Sequence, residues 1–384
     1  MPRNVKRIAL LLPQDVGYSR EVLRGIQKFA LARPHWVFRD APPARETIVP
    51  LREWKADGII ALLFDREVAD LVRRLHKPLV NTTSTLDLPT VPLVENDHGA
   101  IGKMAAEYFL RRGFRNFGYF GSDWMGSSLA REAAFRARVE AAGFGVSTCH
   151  GEYLPRPSLS GSWVQVDQRI ETWLRGLRKP VAVLAQNDVP ARDIADRCRQ
   201  LGLNVPHDVA LLGVDNDDLE CRLCHPPLSS IAIPGRKIGA EAAQTLDLLL
   251  RGRRPKPLQR FFPPIRVVER QSTDVLAIDD ELVSVTLRLI KERAISGISI
   301  DAMLRDAPLS RRQVERRFRE HTGGALLDEV HRVRVETAKQ LLAETSFDMA
   351  RIARESGFYD ARRLSVVFKQ VIGLTPSEFR QQLT

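Results

Sequence analysis

Cysteine is scarce in this chain, with four in 384 residues, which does not make the dense disulfide framework of a small secreted domain. Long apolar runs are missing too: no stretch approaches the roughly 18 apolar residues that a membrane span needs. The start, Met1-Pro2-Arg3-Asn4-Val5-Lys6-Arg7, is basic. The apolar run Ile8 to Leu12 behind it is too short for the core of an export signal and stops at Pro13. A cytoplasmic chain with no membrane partner is therefore expected. The sequence also lacks a P-loop for phosphate and any nucleophile–base signature. Cys221-Arg222-Leu223-Cys224-His225 spells a haem-attachment pattern. Such attachment requires export, and no second C-x-x-C exists to complete a zinc set. The expectation is no metal, no cofactor and no enzymatic activity.

What is present is ordinary globular material, 44% hydrophobic and 27% charged, long enough for two or three domains. The formal charge is +11 and the isoelectric point near 9.8, which favours polyanionic partners. Only about +2 of that excess lies beyond residue 278, so a nucleic-acid argument must rest on where basic residues sit.

They sit in two tandem helix-turn-helix patterns in the last hundred residues. The first runs Ile298 to Leu304, then Pro308-Leu309-Ser310, then Arg311 to Arg319. The second runs Met349 to Phe358, then Asp360-Ala361-Arg362-Arg363-Leu364-Ser365-Val366-Val367-Phe368-Lys369. A short amphipathic helix, a tight turn and a second helix with basic side chains outward is the geometry that enters a major groove. Leu309, Val314 and Phe318 are expected inside, with Ser310 as N-cap. Arg311, Arg312, Glu315, Arg316 and Arg319 are left for the groove, where Arg pairs with guanine and Glu accepts from cytosine. In the second pattern Ile352, Phe358, Leu364 and Phe368 are expected inside. Arg362, Arg363, Ser365 and Lys369 are then free. The spacing predicts a helix over 281–293, with Leu282, Val285, Leu289 and Ile290 inward, and a long connecting helix over 326–344, with Val330, Val333, Ala338 and Leu341 inward.

The front 275 residues alternate short apolar strands with helical stretches. Strands are expected over 5–12, 58–63, 78–81, 116–120, 182–185 and 209–214; helices over 19–32, 67–75, 99–111, 128–142 and 190–201. Continuous apolar strands between helices mean parallel sheets covered on both faces, and the length suits two doubly wound lobes. Ligands of such sheets bind beyond the carboxyl ends of the strands. There the sequence places Asp15, Tyr18, Ser19 and Arg20, then Asp97, then Trp124 and Arg131, then Asn187 and Asp188, then Asp215 and Asn216. Carboxylates and amides accept, guanidinium donates in a fork, and aromatic rings offer flat faces. That mixture suits a sugar. Taken alone, a strand-end Asp is as readily a helix N-cap, and Asp15, Asp97, Asp188 and Asp215 could also be paired as the carboxylates of a hydrolase.

Gly213-Val214-Asp215-Asn216-Asp217, Asn187-Asp188, Pro226 to Ile231 and Arg266 to Thr273 resemble the effector domain of LacI-type repressors and the periplasmic sugar-binding fold. The resemblance covers nearly all of residues 5–275, without the DNA-binding helices that LacI-type repressors carry in front. Residues 352–380, through Gly357-Phe358, Phe368-Lys369 and Gly373-Leu374-Thr375-Pro376-Ser377-Glu378-Phe379-Arg380, resemble the AraC-type DNA-binding domain. That resemblance implies base contacts from Arg312, Glu315 and Arg316 and from Arg362, Arg363 and Ser365; the family commonly has a basic residue where Val366 stands. Together they imply an effector domain over 1–275 and a DNA reader over 276–384. The order is similar to that of xylose-operon activators, which implies a dimeric transcription regulator taking xylose as the favoured effector. Arabinose, ribose or another monosaccharide stays open. The expected partners are double-stranded operator DNA, a monosaccharide, RNA polymerase and a second copy of the chain. A plain carbohydrate-binding protein is the rival reading.

Overall fold

The computed structural model describes residues 5–14, 16–151, 162–275, 280–305, 310–322 and 324–383. Internal contacts divide the chain into two units, Met1–Ala106 with Asn116–Thr273, and Glu107–Arg115 with Asp274–Thr384.

The first unit begins with β1 (Lys6–Leu11), α1 (Gly17–Ala30), β2 (Trp36–Ala41), α2 (Arg45–Trp54), β3 (Gly58–Ala61), α3 (Arg66–Arg73), β4 (Leu79–Asn81) and β5 (Leu93–Asn96). Helix α4 (His98–Arg111) leads to β6 (Phe117–Gly121), α5 (Gly126–Glu140), β7 (Val146–His150), α6 (Ser162–Gly176), β8 (Val181–Ala185), α7 (Asp188–Gln200), β9 (Val209–Asp215), α8 (Asp218–Leu223) and β10 (Ser229–Ala232). Helix α9 (Gly235–Leu250), β11 (Gln259–Phe262) and β12 (Arg266–Val268) complete it. Two six-stranded sheets result, ordered β11-β5-β4-β3-β1-β2 and β12-β10-β9-β8-β6-β7. All pairings are parallel except β10 with β12. The chain passes between the sheets after β5, after β10 and after β11, so each lobe is built from non-contiguous segments.

The central strands are apolar on both faces because both faces are covered: Ile8 to Leu11, Ile59 to Ala61, Val181 to Ala185 and Val209 to Leu212 are buried. Helix α1 buries Tyr18, Ser19, Val22, Gly25 and Ile26, one stripe at helical spacing. It meets α9 at near backbone contact. A Cβ on Gly25 would overlap the Arg236 carbonyl oxygen, and one on Gly239 the Val22 carbonyl oxygen. The two-lobed parallel architecture expected from the sequence is the one observed. The elements not anticipated are the edge strands β2 and β7, the short strands β5, β10, β11 and β12, and helices α2, α6, α8 and α9.

The second unit holds α10 (Glu281–Arg293), α11 (Ile300–Met303), α12 (Arg311–Thr322), α13 (Leu326–Glu344), α14 (Met349–Glu355), α15 (Ala361–Ile372) and α16 (Pro376–Leu383). Val283, Leu287, Ile290, Leu304, Val314, Phe318, Leu326 and Val330 form one core. Ile352, Phe358, Leu364, Val367, Phe368 and Phe379 are buried around the second helix pair, with the Phe368 and Phe379 rings edge-on at 5.5 Å. Gly357, at φ +81°, lies in the turn between α14 and α15; a Cβ there would come within 2.6 Å of the Ala294 carbonyl oxygen. The expected inward face of α10 is corrected by about one residue. Val283, Thr286, Leu287 and Ile290 are buried, whereas Val285 is 36% exposed. Leu282 and Leu289, equally apolar, are half-buried at the margin, and hydrophobic identity alone does not separate the centre of a stripe from its edge. On α13, Val330 and Ala338 are buried as expected, Val333 and Leu341 are half-buried, and Val335 and Leu342 join the core. The turn residues Pro308 and Leu309 lie outside the described residues, as does Asp15.

Candidate functional site

The carboxyl ends of the strands in both sheets gather polar side chains that folding would normally leave in water. At the end of β5, Glu95 and Asn96 are each 2% exposed. Glu95 Oε1 lies 2.9 Å from His98 Nε2. On its other side His98 accepts at Nδ1 from Arg131 Nε at 3.2 Å, which fixes the Nε2–H tautomer of a neutral ring. Burial holds the His98 imidazole below its ordinary pKa, helped by the Arg131 charge and opposed by Glu95. Arg131, 7% exposed, also donates to the Gln186 carbonyl oxygen at the end of β8. Gln186 Oε1 accepts from the Ser122 amide at 2.7 Å. Tyr18, on α1, donates to the Thr82 carbonyl at 2.9 Å. Burial pushes its phenol well up, with Glu95 and Asp215 adding to the effect.

Several buried polar atoms here have no partner among the described residues: Ser19 Oγ, Glu95 Oε2, Asn96 Oδ1, Gln186 Nε2 and Asn187 Oδ1. A buried polar atom left unpaired costs about 1–3 kcal/mol, so five from the strand ends and first helix of two sheets argue for a ligand that completes them. Their chemistry is mixed. Four are acceptors or hydroxyl, and one is an amide donor, which suits hydroxyl groups that both give and take hydrogen bonds.

At the end of β9 the backbone is strained. Asp215 has φ +105° and Asn216 φ +54°, both positive in non-glycine residues. Burial pushes the Asp215 carboxyl up to about 7, against the pull of Arg131 and with the repulsion of Asp217. No side-chain bond ties that carboxyl down among the described residues, so it is an acceptor held ready. The neighbouring groups are spoken for. Asp188 accepts from Ser230 Oγ at 2.5 Å and from the Asp217 amide at 2.8 Å. Asn216 Oδ1 accepts from Arg270 at 2.8 Å, and its amide donates to Ser230 Oγ at 2.9 Å. Asp97 caps α4 through the Ala100 amide at 2.8 Å, the capping role open to any strand-end Asp. Arg20 donates to the Gln14 carbonyl at 2.8 Å and pairs with Asp217. Trp124 is half-buried beside Ser122. Glu95, Asn96 and His98 join this set without having been singled out among the expected ligand contacts. The signal was available, since the polar run Glu95-Asn96-Asp97-His98 follows the apolar Leu93-Val94.

Cys221 and Cys224 point into the lobe's apolar core. Burial raises both thiols, Cys224 to about 12 and Cys221 further, which disfavours the thiolate that binds metal.

The second set of candidate side chains lies on α12 and α15. The Gln313 side chain reaches back to Ser310, whose amide donates to Gln313 Oε1 at 3.0 Å and whose hydroxyl donates to the same oxygen at 2.8 Å, one half of a capping box. Asp360 caps α15 through the Arg363 amide at 2.7 Å. Arg312, Arg316, Arg362, Arg363 and Lys369 are exposed, and Ser365 is half-buried. Arg311 is tied to Asp301 at 3.1 Å and to Glu315 at 2.9 Å, which leaves Glu315 serving a neighbour on its own helix. Arg316 lies 3.8 Å from Glu320. Arg334 reaches from α13 to the carbonyls of Ala294 at 2.8 Å and Ile298 at 3.1 Å, fastening the connecting helix to the approach of the first motif.

A periplasmic binding protein-like domain matches residues 106–273 and a helix-turn-helix domain matches residues 303–382. A two-lobed sugar-binding-type fold on one chain with a paired helix-turn-helix reader defines a class: this is a DNA-binding transcription regulator with an effector domain in front. Within that class the chain is similar to the xylose operon regulatory protein of Escherichia coli strain K12, 29% identical over 384 residues that cover 97% of this chain and 96% of the relative. The namesake protein of Haemophilus influenzae is 26% identical over 99% of both chains. The solved structure of the xylose-binding transcription activator xylR superposes with a TM-score of 0.62 at 28% identity, covering 99% of both chains.

Proposed function

We propose that this protein is a cytoplasmic, homodimeric regulator of a sugar catabolic operon that takes xylose at the strand ends of its first unit and reads operator DNA with α12 and α15. The observation that supports the sugar most directly is the set of buried, unpartnered polar atoms from Ser19, Glu95, Asn96, Gln186 and Asn187, joined by the free carboxyl of Asp215. A pentose ring, with hydroxyls around an apolar frame, satisfies both donors and acceptors there. The full-length similarity to xylose operon regulators favours xylose among monosaccharides.

The chemistry is recognition without turnover. Asp188 is engaged by Ser230 and the Asp217 amide and Asp97 caps a helix, so neither is free to pair with Asp215 as the carboxylates of a hydrolase would. Control follows from population shift: the sugar favours whichever DNA-binding state binds it more tightly. RNA polymerase is the partner through which such a state would act on transcription.

A thermal-shift series over xylose, arabinose, ribose and glucose tests the effector. Xylose is expected to raise the melting temperature in a concentration-dependent way, because a ligand bound only by the folded state stabilises it. If another sugar shifts the transition and xylose does not, the effector assignment fails. If no monosaccharide does, the sensor reading fails with it.

A further inference from the structure

Helices α12 and α15 are structural repeats offset by 50 positions. Val314 and Phe318 face the core from α12 as Leu364 and Phe368 do from α15. Ser310 stands at the start of one helix and Asp360 at the start of the other. On the outer faces Arg312 corresponds to Arg362, and Arg319 to Lys369. Other outward positions differ too, among them Arg311 and Ala361, Gln313 and Arg363, Glu315 and Ser365, and Glu320 and Gln370; at one, an exposed cation is matched by an exposed branched apolar side chain, Arg316 of α12 by Val366 of α15.

That position is central. With about 100° between successive residues, the exposed arc of α15 runs from Lys369 through Arg362 to Gln370 and Arg363, and Val366 falls in its middle. Val366 is 46% exposed, and the residues around it on that arc are polar or cationic. The buried residues Leu364, Val367 and Phe368 face the opposite way, so core packing does not account for it. Neither does helix propensity, because valine is a weaker helix former than most residues that could stand there. A branched apolar side chain at the centre of a cationic face fits a partner that is anionic at its edges and presents an apolar group in the middle. Duplex DNA is that partner in one register: phosphates flank the major groove, and the 5-methyl of thymine is the apolar feature on its floor.

We propose that Val366 reads a thymine 5-methyl group by apolar contact, so that the two reading helices recognise different base chemistry at the same structural place, a guanidinium on α12 and a pair of methyl groups on α15. This rests on α15 being a DNA-reading helix. Arg362, Arg363 and Lys369 then supply phosphate contacts and register, and Val366 supplies the selectivity.

The test uses the full chain. Its preferred duplex is first selected from a random library in the presence of xylose. Each thymine is then replaced singly by deoxyuridine, which pairs identically but lacks the methyl group, and affinity is measured by fluorescence anisotropy. For the unaltered protein, one thymine in the half-site served by α15 is expected to lose roughly threefold to tenfold in affinity, the worth of one or two buried methyl groups. In Val366→Ala, whose exposed position leaves the melting temperature unchanged, that same replacement is expected to cost almost nothing. Val366→Lys is expected to move the preference at that base pair from thymine towards guanine. The proposal is overturned if Val366→Ala retains the same methyl dependence at every thymine, or if no thymine shows any. A separate arm tests the reading beneath it: if Arg362→Ala with Arg363→Ala leaves both affinity and its salt dependence unchanged, α15 does not engage DNA at all.

Discussion

Asp215 shows how a single residue links fold, strain and ligand chemistry. Its carboxyl ordinarily titrates near 4 and here is pushed up to about 7 by burial. The raised value means that the protonated form is the one the fold tolerates. The stabilisation from that form is complete below about 4 and is lost as the pH rises through about 7. Sugar binding is expected to have the opposite dependence, because the ionised carboxylate of Asp215 accepts from a hydroxyl more strongly than the protonated acid does. Xylose affinity is therefore expected to rise from pH 6 to pH 8 and then level off. Asp215→Asn is expected to weaken binding at pH 8 by more than tenfold and to flatten the profile, readable by calorimetry across that range. A profile unchanged in Asp215→Asn would remove the residue from the binding set. The sequence pointed to Asp215 because it ends an apolar strand. It could not separate Asp215 from Asp188, which follows another and opens α7. The difference is whether Ser230 and the Asp217 amide occupy the carboxylate, and both partners come from segments distant in sequence.

At the level of elements, legibility follows how completely each segment is buried. Strands β1, β3, β8 and β9 have uninterrupted apolar cores and were evident from the chain alone. Strand β2, with Arg39 and Asp40, and β7, with Ser147 and Thr148, lie at sheet edges, where one side faces solvent and the apolar signal dissolves. Helix α9 was the least legible of the long elements. It opens Gly235-Arg236-Lys237-Ile238-Gly239, and two glycines in a first turn and a half argue against a helix by propensity. Packing overrides that propensity, because Gly239 is what allows α9 to lie against α1. Gly239→Ala would drive a methyl group into the Val22 carbonyl oxygen. Any shift of α1 that relieves the overlap also moves Tyr18 and Ser19, which that helix carries. A loss of about 1–3 kcal/mol is expected from the overpacking, visible as a lowered melting temperature, together with weaker xylose binding. If stability falls and xylose affinity does not, α1 does not position the binding residues.

On the proposed function, the whole molecule joins a unit whose buried polar atoms would take a hydroxyl-rich ligand to a unit whose two helices would offer cations to a groove, and regulation would be a property of neither alone. Coupling between two ligands on one chain is reciprocal: whatever factor xylose imposes on DNA affinity, DNA must impose on xylose affinity. For a regulator of this class that factor is expected to fall in the range of about 5-fold to 150-fold. Two titrations measure it independently. One follows binding of the selected duplex by anisotropy at zero and saturating xylose; the other follows xylose binding by calorimetry with and without that duplex. The salt response separates the two sites. DNA affinity is expected to fall steeply as salt rises, since each neutralised phosphate releases counterions, while xylose affinity in the absence of DNA stays nearly flat because the sugar is uncharged. Equal, non-unit factors in both directions establish a sensor that governs a reader. Factors of one in both directions, with each ligand still bound tightly, would mean that the two units share a chain without sharing a conformational equilibrium, and the regulatory mechanism would then have to act through something other than DNA affinity.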